Sequence, residues 1–132
     1  MKHNRIFSLA LVFLLLVLAL AACGGSSSKA SNFPTGKFIK QGETDYGLIF
    51  RDDGTFAVFV QGNVTVVNGK YEADSTTFTE TGNDVGCKSP MKFKYTFDGS
   101  KLTFNYAGNP DDDLDCAGRH ADFNNVTYIL SK

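Results

Sequence analysis

The chain has 132 residues, with 13 basic against 14 acidic side chains, 13% aromatic residues and no tryptophan. A length of this order admits one folded domain. The formal net charge of −1 gives no electrostatic reason to expect nucleic acid or anionic headgroups as partners.

The chain starts with a short basic segment, Met1-Lys2-His3-Asn4-Arg5. Residues 6–20 follow, with Ser8 the one polar side chain, and Leu20-Ala21-Ala22-Cys23 closes the stretch. A basic start, an apolar run of this length and a small-residue cleavage site make a secretory signal. As a helix the run reaches about 22 Å, short of the ~30 Å hydrocarbon core, so a permanent transmembrane helix is the weaker reading.

Leu20-Ala21-Ala22-Cys23 matches the bacterial lipobox, Leu-[Ala/Ser/Thr]-[Gly/Ala]-Cys, at every position. The motif needs a thiol because the nucleophilic sulfur takes up diacylglycerol before the peptide is cut upstream of it. Two or three acyl chains such as palmitate, at about 0.8 kcal/mol per buried CH₂, anchor a protein where one chain is marginal. The expectation is a lipoprotein: a signal peptide over 1–22, and an acylated Cys23 as the contact with membrane lipid. The alternative is an ordinary secreted protein in which Cys23 is a chance residue. Gly24 in place of Asp lacks the inner-membrane retention signal of Gram-negative cells. That leaves the outer face of a cell membrane or an outer membrane.

Cleavage leaves 110 residues, with 11 basic and 14 acidic side chains. Residues 24–32, GGSSSKASN, are too polar to fold and read as a flexible tether. The division is a lipidated linker over 23–33 and one domain over 34–132.

Within the domain, short β-rich segments alternate with turn signals, the pattern of an all-β barrel or sandwich. Strands are expected over 36–40, 46–51, 55–61, 64–72, 76–81, 91–97, 101–107 and 125–130. The turns between them include Asp52-Asp53-Gly54, Gly62-Asn63 and Asp98-Gly99-Ser100. The sixth strand is the clearest: Met91, Phe93, Tyr95 and Phe97 share one face, Lys92, Lys94 and Thr96 the other. The third is apolar on both faces, with Phe56, Val58 and Val60 opposed to Ala57 and Phe59, which suggests packing beneath a loop. Long loops are expected over 82–90 and 108–119. Eight sequential strands joined by hairpins close most simply into an antiparallel up-and-down barrel, which removes exposed edges.

Cys87 and Cys116 remain once Cys23 is acylated. An even pair in a small exported domain reads as a disulfide, worth about 3–4 kcal/mol in the chain-entropy account. Free thiols or a metal pair are the alternatives, the latter weakened because the part after the signal holds one histidine, His120, and no Cys-x-x-Cys.

The run Cys87…Lys94-Tyr95-x-Phe97-Asp98-Gly99-x-x-Leu102-x-Phe104…Asp115-Cys116-Ala117-Gly118-Arg119, preceded by Gly69-Lys70-Tyr71, resembles small bacterial lipoproteins with a lipocalin-like domain. Gly36-Lys37-Phe38 stands where lipocalins open with Gly-x-Trp. The resemblance implies a lipocalin-like β-barrel, shallower than a lipocalin, able to hold a small apolar ligand. It also implies that Arg119, after the second cysteine, covers one end of the barrel.

Phe56, Phe78, Phe93, Tyr95, Phe97, Phe104, Tyr106 and Tyr128 alternate so as to face one way, and are the candidate ligand-facing residues. An eight-stranded barrel is just wide enough to be filled by side chains or to hold one small ligand, and aromatics this bulky favour filling. Asp111, Asp112, Asp113 and Asp115 offer oxygen ligands to a hard cation, but the spacing lacks the Gly and Glu of an EF-hand, so a solvated loop is the stronger reading. Arg119 is expected to pair with a carboxylate such as Asp115. His120 has no Ser, Cys or acidic partner at recognisable spacing and reads as a surface histidine. Asn63-Val64-Thr65 and Asn125-Val126-Thr127 are sequons by letter alone. No cofactor, metal or catalytic residue is expected. The leading functional expectation is non-enzymatic binding of a small apolar ligand. The alternative is a cell-envelope interaction domain that uses the disulfide-stapled loops.

Overall fold

The computed structural model of the chain describes residues 32–109 and 116–132. Expectations for the signal, Cys23, most of the tether and the aspartates at 111–115 lie outside the described residues. Eight strands follow one another: β1 (Gly36–Lys40), β2 (Gly47–Phe50), β3 (Thr55–Val60), β4 (Val64–Ala73), β5 (Thr77–Asn83), β6 (Met91–Phe97), β7 (Lys101–Tyr106) and β8 (Val126–Leu130). A short helix, α1 (Ala117–Phe123), precedes β8. Each strand pairs antiparallel with its neighbours, and β8 returns to pair with β1, through Phe38↔Leu130 and Lys40↔Tyr128. The barrel is closed.

One end carries the chain's entry and the turns β2–β3, β4–β5 and β6–β7. Each turn is tied by an aspartate that accepts from the backbone two or three residues on: Asp53 from Thr55, Asp74 from Thr76 and Thr77, Asp98 from Ser100 and Lys101. Those hydrogen bonds hold all three carboxyls below the usual carboxylate range. Tyrosines brace this end from inside. Tyr71 donates to the Arg51 carbonyl at 2.8 Å, and Tyr95 to that of Asp74 at 2.7 Å.

The inward residues of alternate positions make the core: Phe38, Leu48, Phe50, Phe56, Phe78, Phe93, Leu102, Phe104 and Tyr128 are all 2% exposed or less. Phe33, expected in the linker, belongs to this core. It is 5% exposed and its ring lies 5.0 Å from Phe50 and 4.9 Å from Tyr95, closing the entry end.

The doubly apolar third strand has a specific cause. Phe59 lies on the outer face opposite Gly47, where a Cβ would collide with the Phe38 carbonyl oxygen. The Phe59 ring covers that bare backbone, and the Lys37 ammonium sits 4.7 Å above the ring on its way to Asn63. Phe59 is 1% exposed as a result.

Other boundaries shift. β2 is shorter than expected, without Tyr46 and Arg51, and β4 runs one residue further, to Ala73. β5 continues through Gly82 to Asn83, so the loop that carries Cys87 is shorter. Gly62 and Asn63 fall in a single 3-10 turn, both with positive φ, at 74° and 60°. Part of the expected loop before β8 is α1.

Candidate functional site

The eight aromatics expected to face a ligand divide by position. Phe56, Phe78, Phe93, Phe104 and Tyr128 fill the bore and pack on one another. Ring centroids lie 5.1 Å apart for Phe78–Phe104 and 6.2 Å for Phe78–Phe93. Tyr95 is buried at the entry end. Phe97 points to the same end but is 37% exposed, touching only the edge of the core at Phe38. Its face was read from β6 alone, and the strand outruns the bore there. Tyr106 is half-buried and its ring meets that of His120 at 4.7 Å.

The bore is closed at its other end by α1. Phe123 reaches from the helix into the aromatic core, 5.1 Å from Phe104 and 5.2 Å from Phe93. Tyr128 donates to the Asp122 carbonyl at 2.8 Å, and the Tyr46 phenol stands near the Asp122 carboxylate. Burial, first, pushes both phenols far above the ordinary tyrosine value. A seven-residue helix does not hold itself in water, so these contacts hold it.

Cys87 and Cys116 form the disulfide, with Cα atoms 5.8 Å apart, and staple the β5–β6 loop to the start of α1. Arg119, in the first turn of the helix, is 6% exposed. Its Nη2 donates to the Ser89 carbonyl at 2.7 Å, and Nη1 lies 3.5 Å from Glu80 Oε1. Asp115, the partner expected from sequence, lies outside the described residues. Glu80, which sequence reading missed, is 1% exposed and also accepts from Asn83 at 2.8 Å. Burial raises its carboxyl above the usual range against the opposing pull of Arg119. The signal was present: Glu80 stands two residues from inward Phe78 on the same strand, which puts it inside.

Cys87 lines two cavities at this stapled end. The larger, about 600 Å³, is a lateral cleft in the wall between β3, β4 and β5. A register shift between Lys70 and Tyr71 gives β5 an extra residue, Thr81, which loosens the ladder there. Gly69 and Gly82 add no side chains beside it, and neither tolerates one easily. A Cβ at Gly69 would collide with the Phe56 ring, and Gly82 has φ of 155°. The cleft floor is therefore backbone, Phe56 and Cys87, and Arg51, Lys70, Asp84 and Lys88 stand around it. Asp84 is engaged by Asn68, through its backbone N–H at 2.9 Å and its side-chain amide at 3.0 Å, which lower its pKa.

The smaller cavity, about 300 Å³, lies beneath α1 among Val58, Val67, Glu80, Arg119 and Phe123. Phe56, Asn83 and Cys87 line both cavities. Asn83 is the partition: its amide donates to Glu80 and its oxygen accepts from the Cys87 N–H at 3.0 Å.

Among the described residues no three His, Cys, Asp or Glu side chains gather as metal ligands, and no helix is long and apolar enough to cross a membrane. The chain matches no protein-family model, no curated protein and no solved structure.

Proposed function

We propose that this chain is a bacterial lipoprotein of the lipocalin-like kind, held outside the cytoplasm by acyl chains on Cys23, and that it binds a small apolar molecule without catalysis. The binding site in this reading is the lateral cleft and not the bore. The observation that carries it is the division of space. The bore is occupied by the protein's own rings and stoppered by Phe33 and Phe123, whereas a 600 Å³ cleft with an apolar floor opens beside Cys87. That volume falls in the range of ligand pockets, about 300–1,000 Å³.

The neutral dye N-phenyl-1-naphthylamine tests it. Saturable fluorescence enhancement is expected, and it is lost when Thr81→Trp fills the cleft without disturbing the bore. Enhancement that survives in folded Thr81→Trp protein would falsify the cleft as the site. For the anchor, Cys23→Ser expressed in a bacterial host should abolish incorporation of labelled palmitate, and unchanged labelling would defeat the lipobox reading.

A second reading, contact with an envelope protein, is favoured by one observation. Val64, Val66 and Val85 are 57%, 45% and 61% exposed near the stapled end of the barrel. Exposed apolar side chains grouped at one rim suit a protein partner.

A further inference from the structure

The lateral cleft has more than an apolar floor: its charges are unevenly placed. We infer that it recognises an anionic amphiphile, with the acidic head between Arg51 and Lys70 and the apolar tail laid along the glycine floor towards Cys87. This rests on the cleft being the binding site.

Thr55 brings the two cations together. The Arg51 guanidinium hydrogen-bonds the Thr55 hydroxyl at 3.4 Å, and Lys70 is the residue directly opposite Thr55 in the β3–β4 ladder. Both side chains border the cleft. Two carboxylates stand near them; each keeps its charge, and the protein's own donors fix where it points. Asp53, beside Arg51, accepts from the Thr55 N–H at 2.9 Å and its hydroxyl at 2.6 Å. Asp84, on the far side, accepts from Asn68. A mature chain with an acidic excess thus turns a pair of cations towards one apolar cleft. A guanidinium beside an ammonium suits a carboxylate or phosphate head, which gains charge-assisted hydrogen bonds there.

Beyond the head, the floor is Gly69, Gly82, Phe56 and Cys87, which offers dispersion contact, and Asn68, Thr81, Asn83, Asp84 and Lys88 stand around it. An extended peptide is the poorer occupant. The barrel is closed, so no strand edge is free to pair with a peptide backbone.

Three probes of equal chain length, each below its micellar concentration, separate head from tail: dodecanoate, dodecanol and dodecyltrimethylammonium. Dodecanoate is expected to bind about tenfold more tightly than dodecanol, with the cation weaker still, and added salt should narrow the gap. The Arg51→Gln/Lys70→Gln double variant, which changes exposed side chains only, should lose that tenfold advantage while its affinity for dodecanol stays within twofold. Lys88→Gln, at the other end of the cleft, should change dodecanoate binding less than twofold. Equal binding of all three probes overturns the assignment of the head group and leaves the cleft reading standing. So does a double variant that keeps the preference, or a preference that follows Lys88. Failure of the folded protein to bind any probe overturns both.

Discussion

Arg119 and Glu80 are charges placed where water is scarce, and each is tolerable because of what it touches. The Arg119 guanidinium spans from Glu80 on β5 to the Ser89 carbonyl in the next loop, so one side chain ties the helix to two segments. Truncation with Arg119→Ala should destabilise the fold by about 3–5 kcal/mol in denaturant unfolding, because it strands Glu80 in the interior. A loss under 1 kcal/mol would mean the pair is solvated in solution. Glu80 itself sets a pH dependence with a definite sign. Its pKa is raised in the folded state, so between its unfolded and folded values the native protein binds more protons than the unfolded chain. Stability from this group is therefore fully present below its ordinary range and lost as pH rises through the raised value. Asp53, Asp74, Asp84 and Asp98 act oppositely. Their depressed values favour the fold above the ordinary range, and that contribution fades as pH falls. Glu80→Gln keeps an acceptor for Asn83 and removes the titration together with the charge that faces Arg119. Its melting temperature relative to the parent should rise from pH 4 to pH 7. A relative fall over the same window would show that Arg119, not burial, governs the carboxyl.

At the scale of elements, the stapled end depends on a helix too short to stand alone. The disulfide joins positions 29 apart in sequence, and the chain-entropy account values such a link at about 3.6 kcal/mol. Cys87→Ser/Cys116→Ser should lower the melting temperature by roughly 14–29 °C for a domain of this size. A shift of less than 5 °C would show that Phe123 and Arg119 hold α1 without it. Phe123→Ala tests that share directly: it empties the top of the bore and should cost about 3–5 kcal/mol. These elements also mark what sequence reading can reach. The strands were legible because alternation such as Met91, Phe93, Tyr95 against Lys92 and Lys94 is a local signal that the register preserves. Asp-Gly and Asp-Ser turns were legible for the same reason. The helix was not, since seven residues contain too few turns for a 3.6-residue pattern, and its stability comes from Phe123 packing against strands distant in sequence. β5 was cut short because Gly82 and Asn83 look like loop, yet the register shift at Thr81 accommodates both. The cleft was invisible for a related reason. It arises where a missing side chain at Gly69, an extra residue on β5 and a loop held by Cys87 coincide, and none of these is a chemical motif. Its cations, Arg51 in the β2–β3 turn and Lys70 on β4, are far apart in sequence and are brought together at Thr55.

Taken whole, the molecule is a ring of hairpins in which every strand's partners are its neighbours in sequence, apart from the closure of β1 on β8. That closure brings the two ends of the folded chain to the same end of the barrel. The Leu130 side chain lies 3.3 Å from where a Gly36 Cβ would be, and the Ser131 N–H donates to the Lys37 carbonyl at 2.8 Å. If the native contacts are set by the ring and not by where it is cut, the termini can be moved. A circular permutant that joins Lys132 to Phe33 through a short Gly/Ser linker, and opens between Gly62 and Asn63, alters no core contact. The opened turn is exposed, and no atom lies within 4 Å of a Gly62 Cβ. Its one cross-strand tie is the Lys37–Asn63 hydrogen bond. Exposed sites of this kind tolerate new termini. The permutant should unfold in one cooperative transition within about 1–2 kcal/mol of the parent, since it changes one turn and one loop closure. It would also move any N-terminal anchor from the Phe33 end to the end that carries α1 and the disulfide. Loss of the cooperative transition would show instead that the order of strand addition, with β1 waiting for β8, is needed to reach the closed state.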